Sequence, residues 1–148
     1  MFINKVETSF EAAHRLHTYR GKCRHIHGHS WNVTVEIRAE GLGRSKKTPP
    51  GMVMDFSVIR RIVNEEIISL LDHTLILSAK DPLAKHLFHF EENLKVILMP
   101  NRYLEPTCEN IASWCFDLLK VTKLEEEYSC TISSVTISEG DGNSCRYE

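Results

Sequence analysis

His27-Gly28-His29-Ser30-Trp31-Asn32-Val33-Thr34-Val35-Glu36-Ile37-Arg38 is the stretch on which the reading of this chain turns. From residue 30 to residue 38, Trp31, Val33, Val35 and Ile37 fall on one face and Asn32, Thr34, Glu36 and Arg38 on the other. Alternation with a period of two marks a half-buried antiparallel strand. Just before it, His27 and His29 stand two residues apart, and side chains at i and i+2 of a strand point the same way, so both imidazoles can reach one ion. Neutral imidazole is the usual zinc ligand. Three histidines leave a fourth position open for water or substrate, which separates a catalytic zinc from a structural one.

Residues 14–29 hold five of the eight histidines and one cysteine, so a third ligand is close at hand. His14 is the choice, because it ends a first strand at residues 2–12 that should pair with the strand beginning at His29. His17 and His25 compete. His25 shares the parity of His27 and His29, but three such histidines span about 13 Å on a straight strand, so the first and last cannot both reach one ion. His17, His25, His86 and His89 are read as surface histidines. Cys23 lies four residues before His27. It is either a fourth ligand closing a structural site or a thiolate base or nucleophile, activated by Lys22, Arg24 and the metal.

The rest of the chain supplies the frame. Residues 41–51, with two lysines and two prolines, form an exposed loop. A helix opens at Asp55 or Ser57 and carries Val58, Ile59, Ile62, Val63, Ile67, Leu70 and Leu71 at near-helical spacing to about Leu71. Residues 78–93 are polar and irregular, and 95–99 form a short strand. Thr107 caps a second helix whose apolar face is Ile111, Trp114, Cys115, Leu118 and Leu119. Residues 131–138 alternate as a strand, residues 140–143 turn, and 144–148 return as a short strand. These elements predict an α+β fold: a four-stranded antiparallel sheet with two helices packed on one face, its other face solvated or buried against another subunit.

Composition narrows the class. The 148 residues suit one domain spanning 1–148, and the net charge of −2 gives no reason to expect nucleic acid or an anionic membrane as partner. Between Ala12 and Val35 there is no acidic residue, while Arg15, Arg20, Lys22 and Arg24 all fall there, which suits an anionic substrate. Five scattered cysteines without a CxxC pair argue against a disulfide framework. There is neither a signal-like start nor an apolar run of the ~20 residues a membrane span needs, so a cytoplasmic protein is expected.

Further groups can carry chemistry. In Asp72-His73, at the end of the first helix, a carboxylate can orient an imidazole for proton transfer, or the histidine can simply meet the helix dipole. Glu109 reads, taken alone, as a first-turn acid and Glu139 as a strand-end charge.

Phe10-Glu11-Ala12-Ala13-His14-Arg15-Leu16, Cys23-x-x-x-His27-Gly28-His29-Ser30, Gly51-Met52-Val53-Met54-Asp55-Phe56, Leu71-Asp72-His73, Pro106-Thr107-Cys108-Glu109-Asn110-Ile111-Ala112 and Glu139 occur in this order. Together they resemble the 6-pyruvoyltetrahydropterin synthase / 6-carboxytetrahydropterin synthase family. The resemblance implies a tunnelling fold, in which subunit sheets join into a trimeric barrel and two trimers stack into a homohexamer. It implies zinc on His14, His27 and His29, Cys23 as proton acceptor, and Asp72-His73 as its relay partner from a neighbouring subunit. It further implies that Thr107, Glu109 and Glu139 recognise the pterin, with Glu139 also a candidate for the relay. A carboxylate matches the paired N–H donors of a 2-amino-4-oxo pyrimidine, so the two glutamates are not divided by role.

The implied substrate is 7,8-dihydroneopterin triphosphate, with Arg15, Lys22 or Arg24 as candidates for holding the triphosphate. The three-residue spacing between Cys23 and His27 resembles the carboxy-forming (queuosine-pathway) branch, whose products are 6-carboxytetrahydropterin, acetaldehyde and triphosphate. The pyruvoyl-forming activity is the alternative. A zinc hydrolase of a small anion and a non-catalytic zinc-binding module are rivals of other classes.

Overall fold

The structure, a computed structural model, describes residues 1–87, 90, 93–140 and 142–148; His89 and the turn residue Asp141 lie outside the described residues. Strands β1 (Phe2–His14) and β2 (His27–Ala39) pair antiparallel along their whole length, from Phe2 opposite Ala39 to His14 opposite His27. β5 (Thr131–Glu139) lies beside β2, and β6 (Asn143–Tyr147) lies outside β5. β3 (Thr74–Ser78) pairs parallel with β1, and β4 (Val96–Met99) parallel with β3.

The sheet is therefore six-stranded and mixed, in the order β4-β3-β1-β2-β5-β6, where the sequence predicts four antiparallel strands. The correction lies mainly in β3. All five of its residues are buried, so Leu75, Ile76 and Leu77 show no alternation to betray a strand. Ile76 joins the main core, while Leu75 and Leu77 face a smaller cluster on the opposite side, covered by Ala84 of α3 (Ala84–Leu87).

The first helix carries the chain from the end of β2 to the start of β3 beside Ala12. α1 (Phe56–Val63) starts at Asp55, whose carboxylate accepts the Ser57 N–H at 2.8 Å. It continues through a π-helical stretch (Asn64–Ile68) into α2 (Ser69–Leu71). Ile59, Val63, Ile67 and Leu71 are buried at spacings of four. In an α-helix such a stripe drifts by about 40° per step; the wider π turn offsets that drift and keeps Ile67 and Leu71 on the sheet.

α4 (Cys108–Lys120) packs on β5 and β6 and buries Ile111, Ala112, Cys115 and Leu119. Its cap is Thr107, whose side chain accepts the Asn110 N–H at 3.3 Å. A short α5 (Leu124–Tyr128) follows, unpredicted because it is one turn long and has no side-chain cap. No helix among the described residues is long and apolar enough to cross a membrane.

One irregularity sets the core of β5. Glu36 faces Ser134 but Ile37 faces Ile132, so Ser133 is the extra residue of a β-bulge. Strict alternation would put Ile132 on the face away from Val135 and Ile137. The bulge returns it to their face, where it packs against the core.

Candidate functional site

The metal-ligating candidates grow directly from the strand pairing. His14 faces His27 and Ala12 faces His29, so all three imidazoles share the face that carries Phe10 and Trp31. Their ligand atoms lie within 4.8 Å of one another. His14 is buried against the Trp31 ring. His17 and His25 are not in this cluster: His17 Nδ1 lies 2.8 Å from Glu105 Oε1, and His25 is exposed. The reading of His17 as a surface histidine is thus corrected, because the Glu105 carboxylate draws it inward. His86 is exposed as expected.

Hydrogen bonds decide which ring nitrogens are free. His14 Nδ1 lies 2.8 Å from the Pro106 carbonyl, and His27 Nδ1 lies 2.8 Å from the His25 carbonyl. A carbonyl can only accept, so each Nδ1 carries the proton and each Nε2 presents a lone pair. These two Nε2 atoms are 3.1 Å apart. Burial, with smaller contributions from His27 and His29, pushes the His14 imidazole down to about 4 despite its bond to Pro106. It is neutral near pH 7, and protonation of His14 does not relieve the facing lone pairs. A cation bound between them would, with His29 as third ligand. The donor set therefore fits a zinc ion held by three imidazoles, two of which, His14 and His27, have their outer nitrogens oriented by carbonyls.

The cluster opens into a cleft of about 520 Å³ that includes His14, Leu16, Cys23, Thr107, Glu109 and Glu139 in its lining. Cys23 sits in the short 3₁₀ turn Lys22–Arg24 and is half-buried. It stands on the cleft wall outside the three-histidine cluster, so it does not complete that set as a fourth ligand within the same distance. Glu139 ends β5 opposite Trp31 and shares its face, which brings Oε1 to 4.0 Å from His14 Nε2. Glu109 comes from the first turn of α4, beside the Thr107 cap.

Cys108, Asn143 and Ser144 also line the cleft and were not singled out as site residues by the sequence. The Cys108 thiol donates to the Ile137 carbonyl at 3.0 Å and is pushed up to about 12 by burial and by the Glu139 carboxylate. It remains a protonated thiol near neutral pH.

Asp72 and His73 are not in this cleft. His73 lines a separate hollow with Glu11, Ala12, Ala13, Gly28, His29 and Ser30, so that hollow also reaches His29 of the histidine cluster. Asp72 Oδ1 accepts the Glu11 N–H at 2.9 Å and Oδ2 accepts His73 Nδ1–H at 2.8 Å. The Glu11 N–H first, then His73, hold the Asp72 carboxyl below its ordinary value. His73 has φ of 56°, and its side chain is 80% exposed. The pair is an oriented imidazole presented outward, and its Nε2 is free to exchange a proton.

Arg15 is committed elsewhere. Its Nε and Nη2 each donate to Asp81 at 2.7 Å, so it is a structural cation and a poor candidate for holding phosphate. Lys22 and Arg24, on either side of Cys23, are exposed.

The chain is similar to known tetrahydropterin synthases. Residues 3–148 match the family model for 6-pyruvoyl tetrahydropterin synthase. The 6-carboxy-5,6,7,8-tetrahydropterin synthase of Synechocystis sp. is 36% identical over 148 residues, covering 99% of this chain and 93% of that protein. The protein of the same name from Haemophilus influenzae is 31% identical over 150 residues, covering 100% and 99%. A crystal structure of an uncharacterized protein from Wolinella succinogenes shares the fold, with a TM-score of 0.74 at 23% identity over 99% of this chain and 98% of that one. On this match over residues 3–148 and these full-length relatives, the chain belongs to the 6-pyruvoyl tetrahydropterin synthase family.

Proposed function

We propose that the protein is a zinc-dependent lyase that converts 7,8-dihydroneopterin triphosphate to 6-carboxytetrahydropterin, acetaldehyde and triphosphate, a step toward queuosine-type deazaguanines. The observation that carries this reading is the single cleft in which His14, Cys23, Glu109 and Glu139 meet, with His27 and His29 beside His14. The name borne by the Synechocystis and Haemophilus relatives favours the carboxy-forming branch over the pyruvoyl-forming one.

His14, His27 and His29 would hold the zinc, which when bound supplies Lewis acidity toward the oxygens of the substrate side chain. Glu139 or Glu109 accepts the paired N–H donors of the pterin's pyrimidine edge and so fixes the ring in the cleft. Cys23 takes a proton from a side-chain carbon next to the held ring. His73, kept by Asp72 in the tautomer with a bare Nε2, accepts a proton at that nitrogen and hands it back to the substrate. Because this dyad is exposed and lies outside the cleft that Cys23 lines, it serves the cleft of a second copy, which suits a homohexamer with sites between subunits. Five free cysteines suit a reducing cytoplasm.

The test is mass spectrometry of the products formed by zinc-loaded protein from 7,8-dihydroneopterin triphosphate without added reductase. 6-Carboxytetrahydropterin with acetaldehyde is the expected result. 6-Pyruvoyltetrahydropterin without acetaldehyde moves the protein to the other branch, and intact substrate overturns both.

A further inference from the structure

Glu105 takes no part in the chemistry above, yet its carboxylate is among the most heavily used in the molecule. Oε2 accepts the His17 N–H at 3.2 Å. Oε1 accepts the Thr18 N–H at 3.0 Å and the Thr18 hydroxyl at 2.7 Å, and it also meets His17 Nδ1 at 2.8 Å. All these partners belong to the loop that follows β1.

That loop leads to Cys23. The Leu16 N–H donates to the Cys23 carbonyl at 2.9 Å, so residues 16–23 close on themselves, and both Leu16 and Cys23 line the cleft. On its other side, Glu105 is part of the segment that builds the opposite wall. Its carbonyl accepts Asn110 Nδ2–H at 2.9 Å, the next carbonyl orients His14, and Thr107 begins α4 with Glu109. Glu105 is therefore the strut between the wall that carries the thiol and the wall that carries the ligand and pterin-binding groups.

The backbone agrees. Leu104 has φ of 52° and ψ of −69°, and the Glu105 N–H donates to the Tyr103 carbonyl at 2.6 Å. This is the strained γ-turn with a positive central φ, a rare conformation for a side chain larger than glycine. It persists because it is pinned on both sides. Tyr103 Oη donates to Asp117 of α4 at 2.5 Å, and Glu105 grips the 17–18 loop. Strain of this kind survives where the surroundings over-determine it, and it marks places held for a purpose.

We infer that Glu105 is a positioning residue that holds the Cys23 loop at a set distance from the His14–Glu109 wall. Its effect on turnover rests on the function proposed above; its effect on Cys23 does not.

The experiment compares the zinc-loaded full chain with Glu105→Ala and Glu105→Gln. Three quantities are read: the rate of Cys23 alkylation by iodoacetamide, mapped by peptide mass spectrometry; zinc stoichiometry; and kcat and KM for the dihydroneopterin triphosphate reaction. Displacing a reacting group by about 1 Å costs up to roughly a hundredfold. Glu105→Ala is thus expected to lower kcat by about ten- to a hundredfold while KM moves by less than about threefold and zinc stays stoichiometric. Cys23 alkylation in that variant changes severalfold. Glu105→Gln keeps an acceptor for the Thr18 donors and recovers most of both quantities. Alkylation and kcat both unchanged in a folded Glu105→Ala variant overturn the inference, as does a loss of kcat with Cys23 alkylation unchanged. If the wild type shows no turnover, the alkylation arm still decides the strut while the functional reading alone falls. If Glu105→Ala does not fold, Thr18→Val, which removes one of the bonds, must change Cys23 alkylation relative to the wild type, or the inference fails.

Discussion

Removing the carboxylate of Asp81 tests whether Arg15 is a structural cation. Asp81 is buried, and its carboxylate accepts two bonds from Arg15 at 2.7 Å and the Leu83 N–H at 2.8 Å. Breaking a buried pair by deleting one partner costs about 3–5 kcal/mol, because the remaining charge is left without compensation. Arg15 is 24% exposed, so water recovers part of that loss, and Asp81→Ala is expected to cost about 3 kcal/mol. For a chain of this length that lowers Tm by roughly 6–12 °C.

Urea unfolding at constant m measures the cost. A double-mutant cycle with Arg15→Leu isolates the pair, and it should show a coupling of about 2 kcal/mol. The effect has a defined pH dependence. Burial pushes the Asp81 carboxyl up, but the Arg15 and Leu83 bonds outweigh it and hold the group below its ordinary 3.8. A carboxyl depressed in the folded state adds stability above that ordinary value and loses it as pH falls through the folded one. The gap between wild type and Asp81→Ala should therefore be full near neutral pH and close below about pH 4. A cost below about 0.5 kcal/mol at neutral pH, or a coupling of zero, would refute the assignment and return Arg15 to the candidates for phosphate.

Other outcomes follow from single contacts. Cys23→Ala should keep one zinc per chain by metal analysis while abolishing product formation; loss of the metal would instead make Cys23 a ligand. Thr107→Ala removes the α4 cap and should cost about 1 kcal/mol in urea melts, while Thr107→Ser stays within a few tenths. Leu104→Gly relieves a positive φ costing about 1–2 kcal/mol, against the ~0.5–1 kcal/mol that glycine adds to the entropy of unfolding. Its side chain is 58% exposed, so little burial is lost and a small rise in Tm is expected on calorimetry.

The three-histidine cluster was legible because it needs only strand parity. Odd-numbered residues from His27 to Ile37 lie on one face of β2, and the run of β1 to His14 brings the third imidazole opposite the first. The two helices were legible from their stripes and from the Asp55 and Thr107 caps. β3 was not, because a strand buried on both faces has no period to read. The bulge at Ser133 was not, because one extra residue leaves no mark in an alternating pattern. Arg15 looked like a phosphate ligand because its partner, Asp81, lies 66 positions away and only the fold brings them together.

Within one chain the Asp72–His73 dyad is not in the cleft that Cys23 lines. The face of β1 that carries Phe10, Ala12 and His14 continues the hydrophobic core, so the histidine cluster is the polar end of a buried surface. Glu11 and Ala13 point the other way. Asp72 is bound to the backbone N–H of Glu11, and His73 donates its own N–H to the Glu11 carbonyl at 2.7 Å. The dyad is thereby anchored to the backbone of the strand that carries His14, outside the cleft that Cys23 lines. If the dyad acts from a second copy, an inactive His73→Ala chain mixed with an inactive Cys23→Ala chain should regain turnover in hybrids, because some interfaces then pair an intact thiol with an intact dyad. A mixture with no recovered activity, despite subunit exchange seen by native mass spectrometry, would mean that the dyad serves its own chain or none.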